Sequence, residues 1–285
     1  MEENKKSKRG LVLGIIAVLI ILGVVGYICY DKGIFGTGTS QKSVATGNTK
    51  TNKDGTINLD INNESIKSLY NRGKIINNLN ASLQSTPVKD ITSLKASDMT
   101  NEEKISFVIT NSNLESIPQN AWLDELGVTM AFSEDKVKNA CENTFGPNTY
   151  KRVNKFELGG TFTYNDKYGA YVTNSTGGGT TGWSYTEAML NAKKYSDRIE
   201  ITTAVVLGDS GSDAFYKDSA LKHKVSDAKG VCDSEEYNVF NDNKREKCLN
   251  DFITKNKDKL YQYTYTYKLN NDGFYYFTKV KRTKE

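Results

Sequence analysis

The run Leu11–Tyr30 (LVLGIIAVLIILGVVGYICY) carries no charged side chain, and no other segment constrains the architecture as tightly. At about 1.5 Å rise per residue such a run spans roughly 30 Å, the thickness of one hydrocarbon core. A helix is the only open-chain conformation that satisfies every backbone N–H and C=O in lipid, so the Ile and Val content costs little. Lys5, Lys6, Lys8 and Arg9 precede the run, whereas Asp31 and Lys32 cancel just after it. That asymmetry predicts a cytoplasmic N-terminus at 1–10, a transmembrane helix at 11–30 that holds the chain in the cell membrane, and an extracytoplasmic remainder. A cleaved signal peptide is the main rival, but its apolar stretch is usually shorter and no A-x-A-like site follows this one. Cys29 suggests a lipoprotein, yet Tyr27 and Ile28 stand where lipid attachment needs small residues.

Residues 31–57 are dominated by Gly, Ser, Thr, Asn and Lys and predict a flexible linker, because too little apolar surface is present to offset the entropy of ordering. Residues 58–285 then form one extracytoplasmic domain, long enough for a real core. The net charge of +4 is shared between the N-terminal flank and this domain, so the domain offers no bulk basic signal for nucleic acid. Abundant Lys, Asn, Ile and Tyr suggest AT-rich codons and a bacterial source. Four cysteines exclude a disulfide-dense scaffold. Cys141 falls on the apolar stripe of a predicted helix. Cys232 and Cys248 enclose a polar segment that needs another source of order; a disulfide between them is the expectation outside the cytoplasm and would contribute about 3 kcal/mol. Zinc is disfavoured, since two thiols lack a nearby pair of further ligands.

Helical signals come first along the domain. Ile66, Leu69 and Tyr70 share one face ahead of Gly73, and Ile75, Leu79 and Leu83 continue at i+4 spacing. Thr100 and Glu103 form a capping box before Ile105, Val108 and Ile109. Ser133 caps a helix whose stripe is Val137, Ala140, Cys141 and Phe145, stopped by Gly146-Pro147. Trp122, Leu123 and Leu126 are expected in the same core. From about 158 the period changes to two: 161–164, 168–172 and 199–207 read as strands. The clearest strand is 260–269, with Tyr261, Tyr263, Tyr265 and Tyr267 on one face, followed by Asn270-Asn-Asp-Gly273 and a return strand at 274–280. Residues 184–195 fit a helix or a strand paired with 199–207. Lys244–Lys259 reads as a charged surface helix.

Helices first and antiparallel strands after predict an α+β domain with helices packed on one side of a curved antiparallel sheet. This order loosely resembles the NTF2-like and cystatin-like folds, in which a curved sheet wraps a helix.

Four motifs suggest chemistry, and each has a simpler reading. Gly208-Asp-Ser-Gly-Ser212 resembles the box around the nucleophile of trypsin-like serine proteases, but there the histidine precedes the serine, whereas the sole histidine, His223, follows Ser210. Gly177-Gly-Gly-Thr-Thr-Gly182 matches G-x-G-x-x-G, with Glu200 beyond it, yet no buried apolar strand runs into the turn and no βαβ units follow. Asp209, Asp213 and Asp218 are weak calcium candidates whose spacing departs from an EF-hand. His223 lies between Lys222 and Lys224 and reads as a surface residue. No cofactor is implied.

The tyrosine face is the richest feature outside the anchor. It reads first as a sheet face covered by the N-terminal helices. The sharper reading makes Tyr261, Tyr263, Tyr265 and Tyr267 a concave surface holding a glycan or small ligand. The functional expectation is a non-catalytic envelope domain that binds or assembles with another envelope protein or a cell-wall glycan, and not nucleic acid. Its alternatives are the aromatic ligand site and a carboxylate-dependent extracytoplasmic hydrolase.

Overall fold

Alternation in the last thirty residues and a buried apolar run at 199–207 build the main sheet. The computed structural model describes residues 51–76, 91–174, 183–209, 214–227, 231 and 242–284. The segment 11–30 lies outside these, and among the described residues no helix is long and apolar enough to cross a membrane. The elements are β1 (Ile57–Leu59), α1 (Glu64–Gly73), β2 (Ser93–Lys95), α2 (Asn101–Asn111), α3 (Ala121–Leu126), β3 (Met130–Ser133), α4 (Glu134–Phe145), β4 (Lys155–Glu157), β5 (Thr161–Asn165) and β6 (Ala170–Thr173). After them come β7 (Trp183–Lys194), β8 (Arg198–Asp209), β9 (Ala214–Tyr216), β10 (Lys224–Asp227), α5 (Asp242–Asn256), β11 (Tyr261–Leu269) and β12 (Tyr275–Lys284).

The fold is α+β with antiparallel sheets, and it has two sheets rather than the single one expected. The larger runs β1-β7-β8-β11-β12-β2, with β9 and β10 continuing from the far end of β8; the smaller runs β3-β6-β5-β4. Tyr261 of β11 faces Val205, so the last residues of β8 extend past β11 and pair instead with β9 at Leu207 and Gly208. Residues 184–195 resolve as strand β7, because pairing with β8 over the whole length satisfies a backbone ladder that Ala188 and Ala192 alone would not hold as a helix. Register shifts at Met189/Asn191 and Thr266/Tyr267 bend the larger sheet.

Ile199, Ile201, Val205 and Leu207 of β8 join Tyr263, Tyr265 and Tyr267 in the main core, covered by α1, α2 and α4. The opposite face is also covered: Ala188, Ala204 and Val206 pack against Ile253 of α5 and Leu260. Helices therefore lie on both faces, since the charged segment 244–259 carries one apolar stripe that needs burial. The smaller sheet sends Phe132, Phe156, Phe162 and Tyr171 into the main core and puts Ala131, Ala170 and Val172 under Leu123 of α3. Trp122 stacks on Tyr168 with ring centroids 4.2 Å apart, while Leu126 is exposed, so this trio does not enter the main core as one group.

Local signals explain the helix ends. The Thr100/Glu103 capping box is present in both halves, and the Ser133 hydroxyl accepts from the Lys136 amide. Gly73 closes α1 for a different reason than a turn: a Cβ there would lie 2.7 Å from Tyr267 Oη. Residues 51–57, assigned to the linker from sequence, already hold hydrogen-bonded backbone. Thr51 bridges to Ile57, and Asp54 Oδ1 accepts from both the amide and the hydroxyl of Thr56, which is buried.

Candidate functional site

The tyrosine face is an interior. Tyr263, Tyr265 and Tyr267 are 3, 0 and 1 % exposed, so their rings fill the space beneath α1 and do not line an open ligand surface. Tyr265 Oη donates to Glu187 Oε2 at 2.7 Å and accepts from the Ile76 amide at 3.4 Å. Tyr267 Oη donates to the Tyr70 carbonyl at 3.4 Å, and Tyr70 meets Tyr265 edge-on. Burial first, and the Glu187 charge second, push the Tyr265 phenol well above its ordinary value, so it stays a donor. Tyr261 is half-buried and carries the Arg282 guanidinium 4.2 Å and the Lys217 ammonium 4.7 Å from its ring centroid.

Glu187 opens on its other side to a cleft of about 450 Å³ between α1, β7 and α5. Glu246 and Asp251 line it, but Asp251 pairs with Lys247 at 2.9 Å. Glu187 is committed to Tyr265 and to the Thr203 hydroxyl at 3.3 Å. These contacts tie Glu187 and Asp251 to the scaffold, whereas glycoside hydrolysis requires two carboxyl groups aimed at a shared point.

Asp218 departs from the calcium reading. Its Oδ1 accepts from the amides of Ala220 and Lys222, and its Oδ2 accepts from the His223 amide at 2.9 Å and meets His223 Nδ1 at 2.8 Å. Burial raises its pKa, but the His223 and backbone hydrogen bonds outweigh that and hold it below the usual carboxylate range. Its lone pairs thus close a turn. The side chains of Asp209 and Asp213 lie outside the described residues, as do Ser210 and Gly177–Gly182. Among the described residues no group of three His, Cys, Asp or Glu is arranged to hold a metal ion. Gly208 has a packing reason of its own, since a Cβ would meet the Phe215 ring at 2.7 Å.

Cys248 is disulfide-bonded. Its Sγ lies 3.0 Å from the carbonyl oxygen of Val231, and Cys232 itself is outside the described residues. Cys141 is a buried free thiol, pushed up to about 12 by burial.

A polar cluster that sequence reading missed ties α4 to the smaller sheet. Glu134, the first residue of α4, accepts from Arg152 Nε and Nη2 at 2.8 and 2.7 Å, from Tyr164 Oη at 2.6 Å and from Tyr150 Oη at 3.0 Å. Tyr150 Oη also lies 2.8 Å from Tyr171 Oη. The Arg152 hydrogen bonds, helped by those of Tyr164 and Tyr150 against the cost of burial, lower Glu134 to about 2. Every acceptor position is taken, which makes this a clasp.

A second concavity among the described residues is a groove of about 610 Å³ at the β12 side of the larger sheet, where β2 pairs only with Lys279–Lys281 of β12. Lys95, Lys104, Lys268 and Lys279 line it from four elements, β2, α2, β11 and β12. Arg198 stands there too, held by Asp197 at 3.0 Å and Glu200 at 2.8 Å. None of the four lysines is in an ion pair among the described residues. Lys279 is the direct cross-strand partner of Lys95, a like-charge pairing that a sheet does not favour. Comparison with known protein families, with curated proteins and with solved structures finds no match.

Proposed function

We propose that this chain is a single-pass, membrane-anchored protein of the bacterial cell envelope whose extracytoplasmic domain, beyond a flexible linker, binds another envelope component without chemical turnover. The anchor rests on the uncharged run 11–30 and its basic flank. The observation that carries the binding reading is the groove: four lysines converge there with their charges uncompensated by the described chain, while the two carboxylates present are spent on Arg198. Such a surface favours an anionic partner. The aromatic-face alternative is weakened, because three of the four tyrosines that would carry it, Tyr263, Tyr265 and Tyr267, are covered.

Co-sedimentation of the detergent-solubilised full-length chain with purified bacterial wall fragments tests the reading. The chain should pellet with them at low salt and be released as salt rises. A chain that stays in the supernatant at every ionic strength refutes it.

A further inference from the structure

We infer that the lysine groove takes a linear, hydroxyl-bearing phosphodiester chain, that is, a polyol or sugar polymer joined through phosphates; this deepens, and rests on, the envelope-binding reading above. Three features of the groove select that chemistry.

The first is the type and placement of the cations. A planar guanidinium forks onto a carboxylate or a terminal phosphate, whereas an ammonium acts as a point charge. The single guanidinium in the groove, Arg198, already serves Asp197 Oδ1 and Glu200 Oε1. The free charge is all ammonium, and it comes from four separate elements. Charge spread over four elements suits an extended anion better than a compact one. A chain with a single negative charge at each link is such an anion, and by sitting along Lys95 and Lys279 it also relieves their cross-strand repulsion.

The second feature is the direction of the hydroxyls. Thr278 Oγ1 donates its proton to the Thr266 carbonyl at 3.0 Å, Thr149 Oγ1 to the Gly146 carbonyl at 2.6 Å, and Ser97 Oγ to Asp98 Oδ1 at 3.0 Å. All three line the groove with their protons committed, so each has lone pairs to offer and no donor. These acceptors suit a ligand that brings hydroxyl donors as well as negative charge. Third, the floor offers an apolar ring: Tyr276 is half-buried and lines the groove, whereas Phe145 and Phe277 are buried and only back it. The C–H faces of a polyol or sugar linker between phosphates fit that floor.

The test is fluorescence anisotropy of the full-length chain with a labelled glycerol-phosphate oligomer of about ten units. Inorganic polyphosphate, polyglutamate of matched charge and a neutral oligosaccharide serve as comparison ligands. The glycerol-phosphate chain should bind about tenfold or more tighter than polyglutamate, and the neutral oligosaccharide should not compete. Four lysine contacts give a log K against log salt slope of roughly −3, so affinity should fall ~50-fold between 50 and 200 mM salt. Lys95→Glu with Lys279→Glu should abolish binding. Lys104→Gln with Lys268→Gln, a milder pair, should weaken it about tenfold with an unchanged thermal transition. Thr278→Val should lower affinity a few-fold for the glycerol-phosphate chain and leave inorganic polyphosphate, which has no internal hydroxyls, unaffected. Equal binding of polyglutamate, or indifference to the milder lysine pair, overturns the inference. Pelleting with wall fragments without binding the oligomer overturns the ligand class and leaves the envelope-binding reading standing; failure of both removes both.

Discussion

Replacing Glu134 by Gln removes the charge at the centre of the Arg152, Tyr150 and Tyr164 clasp while preserving its shape. The carboxyl is lowered from 4.5 to about 2, with the Arg152 hydrogen bonds as the largest cause. At 1.36 kcal/mol per pKa unit that is about 3 kcal/mol favouring the charged form in the folded state. The Glu134 side chain is only 19 % exposed, but Arg152 is 47 % exposed, so solvent screening brings the expected loss to about 2 kcal/mol at pH 7. Loss of a negative charge at the N-terminus of α4 acts in the same direction. A depressed carboxyl contributes stability that is fully present above its unfolded value and lost as pH falls through its folded value. The difference between wild type and Glu134→Gln should therefore be constant from pH 7 to about 5, shrink from there, and vanish near pH 2. Other depressed carboxylates, such as Asp54, Asp218 and Asp258, are present in both proteins and cancel in the difference. Urea denaturation followed by circular dichroism at several pH values measures it. A gap that stays the same down to pH 2.5, or one below about 0.5 kcal/mol at pH 7, refutes the charge-based account.

Tyr265→Phe should destabilise by about 1–3 kcal/mol, because Glu187 loses a buried donor at 2.7 Å; an unchanged urea midpoint would count against that hydrogen bond. Gly73→Ala should cost about 1–3 kcal/mol through collision with Tyr267, and the double variant Gly73→Ala/Tyr267→Phe should recover part of it, since Oη is the nearest atom. Cys141 should resist alkylation in the native protein and react only on unfolding, with native-state labelling by iodoacetamide as the contrary result. Reduction of the Cys248 disulfide should lower stability by about 3 kcal/mol, and a denaturation curve indifferent to reductant would show that the bridge constrains nothing.

Elements whose causes are local were legible along the chain. The capping box at Thr100, the Ser133 cap and the tyrosine alternation of β11 each depend on residues within a few positions, and each forms. Strands β1, β2, β3 and β4 escaped because three or four residues carry too little periodicity to register. The choice between helix and strand at 184–195 had no local answer: Tyr185, Ala188, Met189 and Ala192 suit either, and only the ladder with β8 decides it.

The sequence alone carried the patterning: an uncharged run at 11–30, a stretch poor in apolar residues after it, and a region in which helical periodicity gives way to alternation. These follow from spacing and solvent preference, which act between near neighbours. Tertiary structure decided what the side chains do. It buried Tyr263, Tyr265 and Tyr267 under α1, spent Asp218 on a turn, and assembled Glu134 with Tyr150, Arg152, Tyr164 and Tyr171. It also brought Lys95 and Lys104 beside Lys268 and Lys279. A chain whose overall charge is nearly balanced can still present a concentrated basic groove, because electrostatic potential depends on distance in space, and the fold sets that distance.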